Sequence, residues 1–113
     1  MNRMQITRNH IDDITIIVID GMLTIGSDQK LADTFKEVIE AGRHKIVLDM
    51  TKVKYIDSLG IGQIAGGYTS LDELGGSLVL ARTNEKIREL LRLTGLQNHI
   101  QTFETVEDAV QEL

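Results

Sequence analysis

The sequence predicts an α/β domain with a mostly parallel sheet, an N-terminal hairpin and about four covering helices. Apolar runs of strand length alternate with segments of helical period along the chain of 113 residues. After the first two strands, each predicted strand is preceded by a helix, and such connections join parallel strands. The chain contains no proline, so glycines and capping residues mark where its elements end.

Composition indicates one compact domain over residues 1–113, because this length is close to the commonest domain size. The net charge of −5 argues against a protein that binds nucleic acid through a basic surface. No cysteine is present, so a disulfide framework and a thiolate metal site are excluded. No apolar stretch is long enough for a signal peptide or a membrane span, and we expect a cytoplasmic protein.

The first part of the chain is predicted to form a hairpin and then a helix. Strands over residues 4–8 and 14–20 flank a polar turn around Asp12 and Asp13. The segment 28–41 carries apolar side chains at offsets 0, 4, 7 and 8, which form one face of a helix. The expected helix boundaries are Ser27 or Asp28 as the N-cap and Gly42 as the stop.

The middle of the chain predicts a central strand, a polar connection and a longer helix. Residues 44–50 contain an unbroken apolar run, which is typical of a strand covered on both faces. The seven residues Thr51–Asp57 would connect this strand to a helix from Ser58 to Leu74. The inner stripe expected for this helix comprises Ile61, Ile64, Ala65, Tyr68 and Leu71.

The last part repeats the pattern of strand and helix twice. A strand over Ser77–Ala81 precedes a helix opened by Thr83 or Asn84 and ended by Gly95. A short strand near 100–103 then leads into a closing helix. That helix carries its apolar residues at offsets 0, 3, 4 and 7, namely Val106, Ala109, Val110 and Leu113.

A glycine-rich run, from Gly60 to Gly66, superficially resembles a dinucleotide-binding loop. We disfavour that function because such a loop turns tightly from strand to helix, whereas a seven-residue connection is predicted here. The alternative is structural: Gly62, Gly66 and Gly67 would let the helix approach the sheet or a partner closely. Each would cost the helix about 0.8–1 kcal/mol in propensity.

Catalysis is also disfavoured. A hydrolase would use Ser58 as nucleophile, but the glycine that a nucleophile elbow carries two residues before its serine is absent. Nothing in the sequence brings a base and an orienting carboxylate to Ser58; the candidates are His10, His44 and His99, with Asp49 and Asp57. The isolated histidines predict no metal site, and the acidic residues of the closing helix are typical of a solvated face.

The pair Asp57-Ser58 stands where a helix is expected to begin. Either side chain could accept hydrogen bonds from the free N–H groups of the first turn, and local chemistry alone favours this capping role. A serine at the same place is also a candidate for phosphorylation. A phosphate adds about −1.5 to −2 charges and three acceptor oxygens to the surface around it.

The segment Ile56-Asp57-Ser58-Leu59-Gly60-Ile61-Gly62 resembles the phosphoacceptor segment of the anti-sigma factor antagonists, the bacterial STAS-domain family. The resemblance runs from about Ile6 to the C-terminus. It includes the strand after Gly75-Gly76, the run Thr94-Gly95-Leu96 and the closing segment from Val106 to Val110.

The resemblance implies a regulator without catalytic activity and without a cofactor of its own. Its unmodified form would bind a serine-kinase anti-sigma factor and free a sigma factor, while ATP would be bound by the partner. Phosphorylation of Ser58 would switch this binding off, and a phosphoserine phosphatase would restore it. The partner-binding residues implied are Asp57, Leu59, Gly60 and Gly62. No direct contact with nucleic acid or a membrane is implied.

One position departs from the family pattern. Thr24 stands where family members often carry an acidic residue, so a partner contact there is in doubt. The stretch Met22–Gly26 is apolar enough to be an interface, but we favour an ordinary strand-helix loop. The departure leaves open a STAS scaffold in a stressosome-like signalling complex, assembled with itself or with paralogues and regulated at Ser58. A small enzyme or nucleotide binder using the glycine-rich turn is the third hypothesis.

Overall fold

The computed structural model describes residues 4–24 and 29–113, which form one five-stranded sheet with helices on both faces. The strands lie in the order β1-β2-β3-β4-β5; β1 is antiparallel to β2 and the remaining neighbours are parallel. The strands are β1 (Gln5–Ile11), β2 (Ile14–Leu23), β3 (Lys45–Ile56), β4 (Ser77–Ala81) and β5 (Thr102–Phe103). The α-helices are α1 (Lys30–Glu40), α2 (Ser58–Glu73), α3 (Glu85–Leu93) and α4 (Val106–Glu112). The predicted α/β class is confirmed.

The helices divide unequally between the two faces of the sheet. The larger core packs α1, α2 and α3 against one face, where Ile46 and Leu48 of β3 are fully buried. The smaller core packs α4 against the other face, where Val47 contacts the cluster around Ala109. Because successive residues of a strand point to opposite faces, β3 is buried on both sides, as its apolar run predicts.

The second and third strands are longer than predicted, and this corrects the expected connection over Thr51–Asp57. The β2–β3 pairing continues until Leu23 lies opposite Ile56, whereas the β3–β4 pairing ends at Asp49 and Ala81. The extension buries Val53 and Ile56 but exposes the polar residues between them. Its high content of exposed polar residues explains why the sequence pattern indicated a connection.

The longer β3 also shows that the predicted seven-residue connection, which argued against a dinucleotide-binding loop, is wrong. Asp57 alone separates β3 from α2, so the turn is tight. However, the glycines do not form that turn, because Gly60 and Gly62 lie inside α2. The glycine-rich run is therefore a helical segment in this fold.

Helix caps account for most of the remaining boundaries. Asn84 caps α3 by accepting a hydrogen bond from the N–H of Ile87 at 2.9 Å, which decides between the two predicted caps. At the start of α1 the N-cap position is Gln29, while the predicted caps Ser27 and Asp28 lie outside the described residues. After α3, Gly95 adopts a φ of 80° and starts a short 3-10 helix, Leu96–Asn98.

Candidate functional site

Asp57 caps α2 with its side chain. Its Oδ1 atom accepts hydrogen bonds from the backbone N–H groups of Leu59 and Gly60, each at 3.0 Å. Its own N–H donates to the carbonyl of Leu23 at 3.2 Å, which ties the start of the helix to the end of β2. These bonds satisfy two of the donors that a helix leaves free at its N-terminus.

Ser58 is the first residue of α2, and its side chain is exposed. Within the part of the chain that the structure describes, the Ser58 hydroxyl makes no hydrogen bond. Local sequence reasoning left the cap open between Asp57 and Ser58, and the structure assigns it to Asp57. Phosphate acceptance by Ser58 stays a prediction. Asp57 holds the helix, and the Ser58 Oγ atom is accessible to another molecule.

Three large apolar side chains are exposed at this end of the sheet. Met22 and Tyr55 lie opposite each other on β2 and β3, with 37% and 51% of their surfaces exposed. Leu59, next to Ser58, is 50% exposed. Apolar groups of this size gathered at one edge are typical of a surface that contacts another protein.

The prediction of a loop over Met22–Gly26 is wrong for its first two residues. Met22 and Leu23 belong to β2, and Leu23 is fully buried, while residues 25 and 26 lie outside the described residues. Thr24, the residue that departs from the family pattern, follows directly after the strand and is half-buried.

Two hollows flank the start of α2. A groove of about 820 Å³ runs between α1 and α2 and is bordered by Leu59, Gly62 and Gly66. A second pocket of about 640 Å³ lies between the end of β3 and α3, and Asp57 and Ser58 form part of its wall. The candidate phosphoacceptor thus lies on a ridge between two concave surfaces.

The glycines of α2, which were expected to allow close packing of the helix, differ from one another in their surroundings. Gly67 packs against the ring of Phe35 on α1, where a Cβ would lie 2.6 Å from Cδ2, so close helix packing is confirmed at this position. Gly62 and Gly66 face open space, so packing within this chain does not require a glycine at either position, and close approach of a partner there stays a prediction. Gly60 is buried against Leu23, and a Cβ there would lie 2.6 Å from Cγ1 of Ile56. Its role as a partner contact stays a prediction, as do those of Asp57, Leu59 and Gly62.

Charges in the second pocket are contributed mainly by α3. Glu89 accepts hydrogen bonds from Arg92, and this bonding lowers the pKa of the Glu89 carboxyl group. Glu85 and Lys86 also border the pocket. The pocket therefore combines an ion-paired carboxylate with one cationic side chain beside Ser58.

The histidines considered as a catalytic base do not lie beside Ser58. His44 precedes β3 and Ser58 follows it, so a whole strand separates them, and His10 hydrogen-bonds with Thr15 near the hairpin turn. His99 lies beside the ring of Tyr68, with centroids 6.0 Å apart. Among residues 4–24 and 29–113, no group of three potential metal ligands occurs.

Sequence reasoning missed two residues that border the site, Tyr55 and Lys86, and for Met22 it favoured an ordinary loop over an interface. Tyr55 was assigned to an irregular segment, because after Met50 the buried residues of β3 recur at every third position, Val53 and Ile56, and no two-residue period marks a strand there. Lys86 lies far from Ser58 in the sequence. The adjacency of β3 and β4 in the sheet brings the starts of α2 and α3 side by side, and no local motif reports such proximity.

Comparison with known proteins identifies the fold and its family. The sequence profile described as the STAS domain matches residues 5–109. The chain belongs to the STAS-domain family. This STAS-domain chain is 30% identical over 104 residues to a candidate anti-sigma factor antagonist of Thermotoga maritima, covering 91% of this chain and 92% of that relative.

Solved structures agree with this assignment. A crystal structure of a candidate anti-sigma factor antagonist from Thermotoga maritima superimposes with a TM-score of 0.90 at 29% identity, over 95% of this chain and 92% of that one. The phosphorylated form of the Bacillus cell fate determinant SpoIIAA gives a TM-score of 0.78 at 18% identity, over 96% of this chain and 98% of that one. At that identity the second likeness concerns the fold alone. In the described part of this STAS-domain chain, no helix has the length and apolar character needed to span a membrane.

Proposed function

We propose that this STAS-domain protein is an anti-sigma factor antagonist switched by phosphorylation of Ser58. The unmodified form binds a serine-kinase anti-sigma factor and thereby frees a sigma factor, and the modified form releases the kinase. The name of the Thermotoga maritima relative supports the antagonist role. ATP is bound by the partner, and a phosphoserine phosphatase returns the protein to its unmodified form.

The observation that carries the proposal is the division of roles between Asp57 and Ser58. Because the Asp57 carboxylate caps α2, modification of Ser58 removes no hydrogen bond from the helix start. The N-terminus of a helix also tolerates negative charge, since the helix dipole and free N–H groups favour it. The fold therefore survives phosphorylation.

The surroundings of Ser58 support an effect on binding. The exposed side chains of Tyr55 and Leu59 lie at the same edge as the hydroxyl and would be desolvated by a partner. A phosphate in such an interface must be desolvated too, and it would lie beside the Asp57 carboxylate on an acidic domain. Phosphorylation thus opposes association without unfolding either partner.

Phosphate mapping tests the proposal. The purified chain is incubated with ATP and the small kinase encoded nearest to its gene, and the modified residue is located by mass spectrometry. We expect one phosphate, on Ser58, and none in the Ser58→Ala variant. Thr69 and Ser70 are exposed hydroxyl residues on the same helix and serve as internal controls. Phosphate at another residue, or none, would remove Ser58 from the proposed role.

Thr24 favours one alternative, a scaffold of a multi-subunit signalling complex that is also regulated at Ser58. The residue at the end of β2 is a half-buried threonine and cannot supply an acidic contact to a kinase. Size-exclusion chromatography with light scattering separates the two functions. A large particle formed with STAS paralogues from the same gene neighbourhood would favour the scaffold, whereas a small complex with the kinase would favour the antagonist.

A further inference from the structure

The pocket between β3 and α3 places a second helix beside the candidate phosphoacceptor. Ser58 and Asp57 form one side of this pocket, and Glu85, Lys86 and Glu89 from α3 border it on the other. The two helices follow adjacent parallel strands, and the Asn84 side chain donates to the carbonyl of Val53 at 3.3 Å, which holds the start of α3 against the extended part of β3. A group added to the Ser58 Oγ atom is therefore bordered by α3 as well as by α2.

Lys86 is the cation of this pocket among the described residues that border it. Its side chain is exposed and forms no hydrogen bond or ion pair with the described part of the chain. Two neighbouring carboxylates, by contrast, already have partners within the chain. Asp57 caps α2, and Glu89 is paired with Arg92. Lys86 thus has its three N–H donors available for an anion at the pocket wall.

We propose that Lys86 is the intramolecular counter-ion of a phosphate on Ser58 and that the resulting ion pair closes the pocket. This inference rests on the proposed modification of Ser58. Ile56 and Ile87 are buried beneath the pocket, and Leu90 and the ring of Tyr55 complete an apolar lining that is open in the unmodified chain. In the phosphorylated chain the lining is covered by two paired charges. Phosphorylation therefore withdraws an apolar docking surface in addition to adding charge.

The titration of the phosphate tests the ion pair. Phosphoserine is introduced at position 58 by genetic encoding, so the test does not depend on any kinase, and its second pKa is followed by phosphorus NMR. The phosphate ordinarily titrates near pH 6. Lys86 favours the dianion and lowers this pKa, while the carboxylates of Asp57, Glu85 and Glu89 raise it. The difference between variants is therefore the diagnostic quantity.

Lys86→Gln is expected to raise the phosphate pKa by about half a unit, the size of effect that an exposed ion pair produces. Lys36→Gln, which removes the same charge from the groove on the other side of α2, is the matched control and should leave the pKa unchanged. An unchanged pKa in Lys86→Gln would overturn the proposal. Equal shifts in both variants would also overturn it, because they would reflect net charge alone.

Lysine footprinting gives an independent measurement on the unsubstituted sequence. The Ser58 and phosphoserine forms are acetylated with the same reagent, and the rate at each lysine is read by mass spectrometry. We expect Lys86 to react several-fold more slowly in the phosphoserine form and Lys36 to react equally in both. Equal rates at Lys86 in the two forms would exclude the ion pair, whatever the outcome of the kinase experiment.

Discussion

The polar groups at the amino ends of the parallel strands (the amino edge) and at their carboxyl ends (the carboxyl edge) are bonded differently. At the amino edge, Arg43 donates to the Thr15 hydroxyl at 2.7 Å and to the carbonyls of Asp12 and Ile14 at 2.7 Å and 2.9 Å. At the carboxyl edge, Asp57 caps α2 while the neighbouring Ser58 hydroxyl and several apolar side chains are exposed. At the amino edge the polar groups bond within the fold, whereas at the carboxyl edge a hydroxyl and apolar side chains are exposed and accessible to another molecule.

The largest change in stability is expected at Gly60, a buried glycine at the carboxyl edge. Gly60→Ala places a methyl group against the Leu23 carbonyl and the Ile56 side chain, and we expect a loss of about 2–3 kcal/mol in the free energy of unfolding. Gly62→Ala, two residues along the same helix, meets open space and should gain about 0.8–1 kcal/mol in helix propensity. Urea denaturation of both variants checks this contrast. Equal losses would contradict the assigned packing.

The next effect concerns the amino edge. Arg43→Met removes three hydrogen bonds and deprives the buried Thr15 hydroxyl of a donor, and we expect a loss of about 2 kcal/mol. Arg8→Met is the control, because the Arg8–Glu37 ion pair is exposed and contributes about 0–1 kcal/mol. Thermal unfolding measures both variants, and binding of the partner should be unchanged in each. A weakened partner affinity would show that the amino edge also serves binding.

A smaller effect separates the two residues at the start of α2. Asp57→Ala removes the cap and should cost about 1 kcal/mol. Ser58→Ala removes a hydroxyl that makes no described hydrogen bond and should change stability by less than about 0.5 kcal/mol. The two free energies of unfolding are compared at neutral pH. A larger loss for Ser58→Ala than for Asp57→Ala would show that the serine contributes to the cap.

The smallest effect depends on pH. A hydrogen bond from Lys45 lowers the pKa of the exposed Asp13 carboxyl group below its ordinary value of 3.8. A lowered pKa means that this contribution is present above the ordinary value and is lost as the pH falls through the folded value. Asp13→Asn should therefore be slightly less stable than the unsubstituted chain at neutral pH, and the difference should disappear in acid. A difference that persists in acid would assign the effect to another cause.

The parts of the fold that were predicted correctly are those that depend on the local sequence. The fold class, the hairpin turn and the strand Ser77–Ala81 were predicted correctly, because each follows from periodicity or from local turn chemistry. The extension of β2 and β3 was not predicted. It depends on pairing between two strands that are distant in sequence, and after Met50 the buried residues of β3 recur at every third position, so no two-residue period indicates a strand.

Only part of the candidate site was predicted, because some of its residues are brought together by the sheet and not by the local sequence. Asp57 and Ser58 are adjacent in sequence, so a helix start could be located there, but which of the two provides the cap depends on side-chain geometry. Lys86 borders the site because the sheet places β3 next to β4, and Tyr55 borders it because β3 continues to Ile56. The family resemblance predicts Ser58 as the phosphoacceptor, and the pocket that Ser58 borders is known only from the structure.

The most direct test of the central claim compares two substitutions of Ser58 in one binding measurement. Ser58→Ala and Ser58→Asp are titrated by calorimetry against the proposed partner kinase, after equal free energies of unfolding have been verified. The account predicts that Ser58→Ala binds as the unmodified protein does and that Ser58→Asp binds at least about tenfold more weakly, a difference of about 1.4 kcal/mol. Equal affinities of the two folded variants would contradict the claim that charge at Ser58 switches binding.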